Sequence, residues 1–121
     1  LEFPTWFTAS GEWSKRSAAF LSSIEDPNAF AVMYDMEGNP VVGYQNELMA
    51  GMWVVAALAS GDTDLQMRLG DMLYDYASSA LSEGYWGGSP QYYFNQSLAW
   101  FGASLLSGDF RNLAVDEAQT E

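Results

Sequence analysis

Apolar positions recurring at three- and four-residue steps divide this chain into four helical segments separated by short polar breaks. Residues 1–12 carry Pro4, Trp6, Phe7 and Gly11 and read as an aromatic, turn-rich lead-in. Ser10 or Gly11 then precedes a helix of about a dozen residues, with Trp13, Arg16, Ser17, Phe20, Leu21 and Ile24 in helical register. Pro27 closes it, because the residue before a proline avoids the helical region. Ala29 to Tyr34 is short and apolar, a strand or an extended loop, and Glu37-Gly38-Asn39-Pro40 is a turn signal. Val41 and Val42 resume an extended conformation, so a small β-hairpin is expected around that turn.

The second helix spans about Gln45 to Ala59. Leu48, Met49, Met52, Trp53, Val55, Ala56, Leu58 and Ala59 leave almost no polar side after its first turn. A helix apolar all round is expected to be buried on all sides. Three helices of this size would struggle to provide that cover, whereas an inner helix of a two-layer helical barrel has it naturally. Ser60-Gly61-Asp62 breaks the helix, and Asp62 or Asp64 can cap the next. In this third helix Leu65, Leu69, Met72, Leu73, Tyr76, Ala80 and Leu81 make one stripe. Asp64, Arg68, Asp71, Asp75 and Ser79 make the other, so it reads as a half-exposed outer helix with Arg68 in surface charge pairs.

Glu83 to Gln91 is a loop whose glycines and Trp86 suit an exposed platform for a flat ring. The fourth helix comes after the pair Tyr92-Tyr93, with Asn95 as its cap and Leu98, Phe101, Gly102, Leu105 and Leu106 as its apolar face. Gly108 supplies a left-handed residue to end it. Leu58-Ala59-Ser60-Gly61-Asp62 is echoed by Leu105-Leu106-Ser107-Gly108-Asp109 about 47 residues later, as stacked helical hairpins would give. Helix-stop chemistry alone would give the same letters.

Composition narrows the function. Five Trp, seven Tyr and seven Phe in 121 residues exceed what so small a core absorbs easily. The surplus implies an aromatic-lined cleft or a surface covered by another chain. The net charge is −12, with Lys15, Arg16, Arg68 and Arg111 the only cations. Such a surface repels nucleic acid and anionic membranes. It accommodates a neutral ligand such as an uncharged polysaccharide, or simply keeps the chain soluble in a salty medium.

The chain has neither Cys nor His, which excludes disulfides, thiolate chemistry, the Ser-His-Asp arrangement and most zinc sites. No carboxylate cluster has metal-ligand spacing, Gly87-Gly88-Ser89 is not a phosphate loop, and no metal or cofactor is expected. Among the acids Glu47 stands out, lying beside the apolar run of the second helix. A buried carboxylate there and a first-turn glutamate favoured by the helix dipole are both open readings. Asp35 and Glu37 read as solvated turn acids, Asp62 and Asp109 as caps, and the six methionines as core filler. The constellation with chemical promise is aromatic: Tyr85, Trp86, Tyr92 and Tyr93, either stacked on a ligand or packed against neighbouring helices.

Two stretches carry a family resemblance. Tyr93-Phe94-Asn95-Gln96-Ser97-Leu98 and then Leu105-Leu106-Ser107-Gly108-Asp109-Phe110-Arg111 resemble the C-terminal helix of glycoside hydrolase family 8. Gly43-Tyr44 leading into Leu58-Ala59-Ser60 resembles the inner helix before it, so the likeness spans roughly residues 43–113. The family includes bacterial endoglucanases and cellulases, with related xylanases and chitosanases. The resemblance implies an all-α fold, the C-terminal part of an (α/α)6 barrel, here with a small β-hairpin or extended segment. Residues 1–113 would be the C-terminal portion of that catalytic domain and 114–121 a frayed tail.

The resemblance also implies inverting endo-hydrolysis of β-1,4-glucan in a long open cleft, in a secreted or periplasmic enzyme. Both catalytic carboxyls would lie upstream of the matched region, so no catalytic residue is expected in this chain. Tyr93 matches a family tyrosine near the sugar-binding cleft, and the helix mouth and aromatic constellation add Tyr92, Trp86 and Asn95 as expected glycan contacts. Phe94 departs from the family's usual second tyrosine. The chain opens on Leu1-Glu2-Phe3 without an initiating Met and reads as a piece of something longer. Its expected partners are a β-linked glucan and the upstream part of the same enzyme, possibly as a separate longer chain. By itself it is expected to be unstable and inactive. The alternative is a small non-catalytic helical module that binds carbohydrate or another protein.

Overall fold

A computed structural model describes residues 4–87, 89 and 91–109, the side chains of 4–10 and 78–83 excepted. Four helices dominate: α1 (Pro4–Ser22), α2 (Glu47–Ser60), α3 (Thr63–Glu83) and α4 (Tyr93–Leu106). A single 3₁₀ turn (Pro27–Ala29) and a two-stranded hairpin, β1 (Met33–Tyr34) and β2 (Pro40–Val42), separate α1 from α2. The class is all-α with a small sheet, and no described helix is long and apolar enough to cross a membrane. The expected tail 114–121 lies outside the described residues.

The helix ends obey local chemistry. α1 begins at Pro4, well before the expected start after Gly11. Proline suits a first helical turn because its ring presets φ and its missing N–H has no partner to lose there. Gly11 is absorbed inside the helix at a cost of about 1 kcal/mol relative to alanine. Asn46 caps α2 by accepting from Met49 N (2.9 Å), and Asp62 caps α3 by accepting from Leu65 N (3.0 Å). In the hairpin, Met33 faces Val42 and Tyr34 faces Pro40. Asp35 accepts from the backbone N–H groups of Asn39 (2.7 Å) and Glu37 (3.0 Å), which closes the turn.

α2 and α4 end alike. Gly61 (φ 74°) and Gly108 (φ 83°) are both left-handed, the conformation glycine adopts without steric cost. Gly61 N donates to Leu58 O and Asp62 N to Ala57 O; Gly108 N donates to Leu105 O and Asp109 N to Ser104 O. The serine before each glycine repeats as well, Ser60 Oγ bonding Ala57 O (2.9 Å) and Ser107 Oγ bonding Ser104 O (3.0 Å). The echo in the sequence is therefore one device used twice, on two helices that touch.

α2 is the centre of the bundle and packs against α1, α3 and α4. Met49, Ala50, Val54 and Ala57 are buried against Ala18 and Leu21 of α1, Leu65, Leu69 and Leu73 of α3, and Ala99 of α4. The expectation that α2 needs cover from outside this chain is thus corrected on three sides. Its remaining stripe is open: Met52 is 38% exposed, Ala59 is exposed, and Val55 and Ala56 are half-buried. The α4 face also differs from the expected one. Its buried centre is Ala99 and Gly102, not the large side chains, and Leu106 is exposed.

Small residues set that contact. A Cβ on Gly51 would sit 2.5 Å from Leu98 O and 2.8 Å from Ala99 Cα. A Cβ on Gly102 would sit 2.7 Å from Gly51 Cα. α2 and α4 meet backbone to backbone.

Arg68 keeps its expected pair with Asp64 and is half-buried as well. Its guanidinium donates to Ile24 O (2.7 Å) and Ser22 O (3.4 Å), tying α3 to the C-terminal end of α1. Asp64 stays nearby, 3.8 Å from Nε. Ser22 Oγ donates to Asp62 Oδ2 (2.7 Å), so the cap of α3 is also fastened to α1.

This packing has consequences that can be measured. Gly102→Ala should destabilise the chain by about 1–3 kcal/mol or more, since neither backbone can yield without parting the helices. Gly11→Ala, where an added Cβ meets nothing within 4 Å, should stabilise it by about 0.5–1 kcal/mol. Urea unfolding of both variants checks the pair. The Ser22 hydroxyl, then the Leu65 N–H, holds the Asp62 carboxyl below the usual carboxylate range. Its ionised form is therefore favoured by folding, and that contribution is present above about pH 4 and lost as the pH falls through the lowered value. Asp62→Asn should flatten the acid side of the stability–pH curve in that window.

Candidate functional site

Among the described residues of the loop between α3 and α4, the side chain of Gln96 ties the loop to α4. Its amide oxygen accepts from Trp86 N, and its amide nitrogen donates to Trp86 O and to Ser89 O (3.4 Å). Tyr92 N bonds Ser89 O (3.3 Å), and Tyr92 O accepts from Gln96 N (3.0 Å) as the helix begins. The loop thus runs directly into α4, which starts at Tyr93. Asn95 lies inside the first turn, half-buried, and does not cap the helix. Tyr92 occupies the cap position with no side-chain hydrogen bond.

The sequence-predicted residues fall into two groups. Tyr92 and Tyr93 are exposed, Tyr93 at 79%, and Phe94 beside them is exposed too. Trp86 is half-buried against the core and is not the exposed platform expected. It lines a small open pocket of about 240 Å³ with Leu73, Tyr74, Ala77, Ala103 and Leu106. Gln96 pins its backbone at both polar atoms, and the indole packs against the core. The anchoring role of Gln96 was not read from the sequence; its signal was a long amide in the first turn of a helix, able to reach back over the preceding loop.

Glu47 lies at the same end of the bundle. It is 4% exposed in the first turn of α2 and faces Gly87, where an added Cβ would be 2.6 Å from Oε2. Burial, and after it the negative charge of Glu47, raises the hydroxyl pKa of Tyr76. Glu47 therefore sits where α2, α3 and the loop before α4 converge. Both readings of it hold: the carboxylate is buried and it occupies a helix N-terminus, where the dipole favours negative charge. Among the described residues no group of three or more acids is placed to hold a metal ion.

A second region was not anticipated. A groove of about 880 Å³ runs between α1, the hairpin and α2. Trp13 and Phe20 of α1, Tyr34 of β1, and Met52, Trp53 and Ala56 of α2 line it. Phe20 meets Tyr34 edge to face (ring centres 4.9 Å apart), and Trp53 packs near both Tyr34 (5.9 Å) and Phe30 (5.4 Å). None of Trp86, Tyr92, Tyr93 and Asn95 lines this groove. Among the described residues, aromatic side chains gather in a tyrosine step at the start of α4 and in this trough on the α1 side of α2, with Tyr44, Tyr74 and Trp100 exposed outside both.

The Gln96 bonds lead to a direct expectation. Gln96→Ala leaves both backbone polar atoms of Trp86 without their partner and should cost about 1–3 kcal/mol. Faster hydrogen exchange at the Trp86 amide, with the α2 amides unchanged, would mark the loss as local. Compared with known proteins, the chain matches no family model, no curated protein and no solved structure.

Proposed function

We propose that this chain is the C-terminal portion of a glycoside hydrolase resembling family 8, an inverting endo-β-1,4-glucanase. In this reading α2 and α4 are inner helices of a helical barrel and α3 is the outer helix between them. The observation that carries it is the repeated helix end. Ser-Gly-Asp stops α2 and α4 with the same left-handed glycine and the same pair of backbone bonds, and the two helices touch through Gly51 and Gly102. Stacked helical hairpins repeat in this way.

The chain's share of the work is to close the barrel and present Tyr92 and Tyr93 to the sugar rings. Their exposure at the mouth of α4 suits stacking on the flat face of a pyranose. Asn95 sits in the same first turn, and Trp86 acts from behind, its backbone fixed to α4 through Gln96. The acid and base belong to the upstream part of the enzyme, which is also the expected partner, and secretion to the periplasm or beyond goes with a polymeric substrate. A second reading, a non-catalytic module, is favoured by one observation: α1, α3 and α4 of this same chain cover α2 on three sides.

Affinity electrophoresis in hydroxyethylcellulose tests the glycan contact. The 121-residue chain should be retarded, and Tyr93→Ala should weaken binding about fivefold, the equivalent of about 1 kcal/mol of aromatic contact. It should release no reducing ends from carboxymethylcellulose. Release of sugar by this chain alone would overturn the division of labour, and the absence of any retardation would overturn the glycan reading.

A further inference from the structure

We propose that the groove between α1, the hairpin and α2 is a docking site for a basic amphipathic helix of a protein partner. The groove shares no lining residue with the tyrosine step.

The shape comes first. On α2 the uncovered residues are Met52, Val55, Ala56 and Ala59, at steps of three, four and seven. On α1 the facing residues include Trp13, Ser17 and Phe20, at steps of four and seven. Two neighbouring helices each turn one stripe into a common trough, which a third helix fills by setting its ridges between theirs. Seven residues of helix span about 10 Å, or two turns, the length read by anchors at i, i+3 or i+4, and i+7.

The trough favours an apolar stripe of a peptide because its α2 floor is wholly apolar, while its polar groups, Ser14, Arg16, Ser17, Asp35 and Glu37, lie on the α1 and hairpin sides. Trp13 at 68% and Met36 at 98% exposure extend the apolar surface to its rim, more than scattered surface residues explain. Charge then selects the partner. Asp35 and Glu37 stand on the rim with Arg16 as the one cation in the lining, and the chain carries −12 overall. A second copy would bring a further −12 against it, whereas lysines flanking an apolar stripe would be drawn in.

The test uses the 121-residue chain and labelled helical peptides of roughly fourteen residues, with leucines at i, i+3, i+4 and i+7 and either lysine or glutamate elsewhere. In fluorescence anisotropy the lysine peptide should saturate at one per chain, and the glutamate peptide should bind at least about tenfold more weakly. Met52→Glu should weaken the lysine peptide by about tenfold or more, and Tyr93→Ala should leave it within about twofold. Met52→Glu adds a negative charge, so mere attraction to an acidic surface would tighten binding. Ala59→Glu repeats the test at an exposed position, with helicity of each variant checked by circular dichroism.

Unchanged or tighter binding in both variants overturns the proposal. So does a concentration-dependent dimer that Met52→Glu abolishes, which would make the occupant a second copy. Displacement of the lysine peptide by cellohexaose would make it a glycan, and would overturn the proposal equally. Failure here leaves the electrophoresis result on Tyr93 untouched, so the two readings fail separately.

Discussion

Everything in this molecule is arranged around the approach of α2 to α4 through Gly51 and Gly102. With no side chain at either position, one helix rests on the other's peptide groups, and dispersion contacts between backbones replace those between side chains. That closeness has a geometric consequence. α4 occupies so little room on its flank of α2 that α1 and α3 can both reach α2 as well. A helix apolar over most of its circumference then finds cover within a chain of 121 residues. The large apolar residues of α4, freed from the contact, move outward: Phe101 and Leu105 are half-buried, and Leu106 and Trp100 are exposed.

The polar groups are arranged with the same economy. The last turn of α1 is fixed by groups from the α2–α3 corner. Asp62 caps α3 and accepts from Ser22, and Arg68 binds the carbonyls of Ser22 and Ile24. At the other end of the bundle Gln96 performs the corresponding task for the loop before α4. In both places a long polar side chain on a helix satisfies backbone groups that regular structure leaves unsatisfied. Hydrogen bonds to such groups stabilise modestly when made and cost more when broken, which makes these two side chains the corners of the fold.

The surface that results is divided. Tyrosines gather at the start of α4, beside a loop fastened by Gln96, and this is the side on which the glycan reading depends. Apolar side chains gather on the far flank of α2, which α1, α3 and α4 leave open. Proteins rarely leave such a trough empty, because its exposure favours association. An acidic chain disfavours association with itself, which is why a partner of opposite charge is the occupant proposed for the trough.

What could be read from the letters alone was local. Ser-Gly-Asp marks two helix ends because only glycine takes the left-handed turn cheaply, and the Asp62 cap and the Gly38-Asn39-Pro40 turn depend on side-chain chemistry within a few residues. The three- and four-residue spacing is enough for four helices and for the half-exposed character of α3. It fails where partners come from afar. Pro4 reads as part of a turn although proline also starts helices, and the residues after it decide which role it takes. The letters show Arg68 its neighbours on its own helix, of which Asp64 is a partner, but not the carbonyls of Ser22 and Ile24, which enter its reach only after α1 and α3 pack. Trp86 reads as exposed because its flanking glycines say nothing of the core it packs against. The pattern of α2 states that it must be covered, and periodicity carries no information on how closely a neighbour can come. That distance was decided by two glycines about fifty residues apart meeting across a helix interface, a contact that exists only in three dimensions.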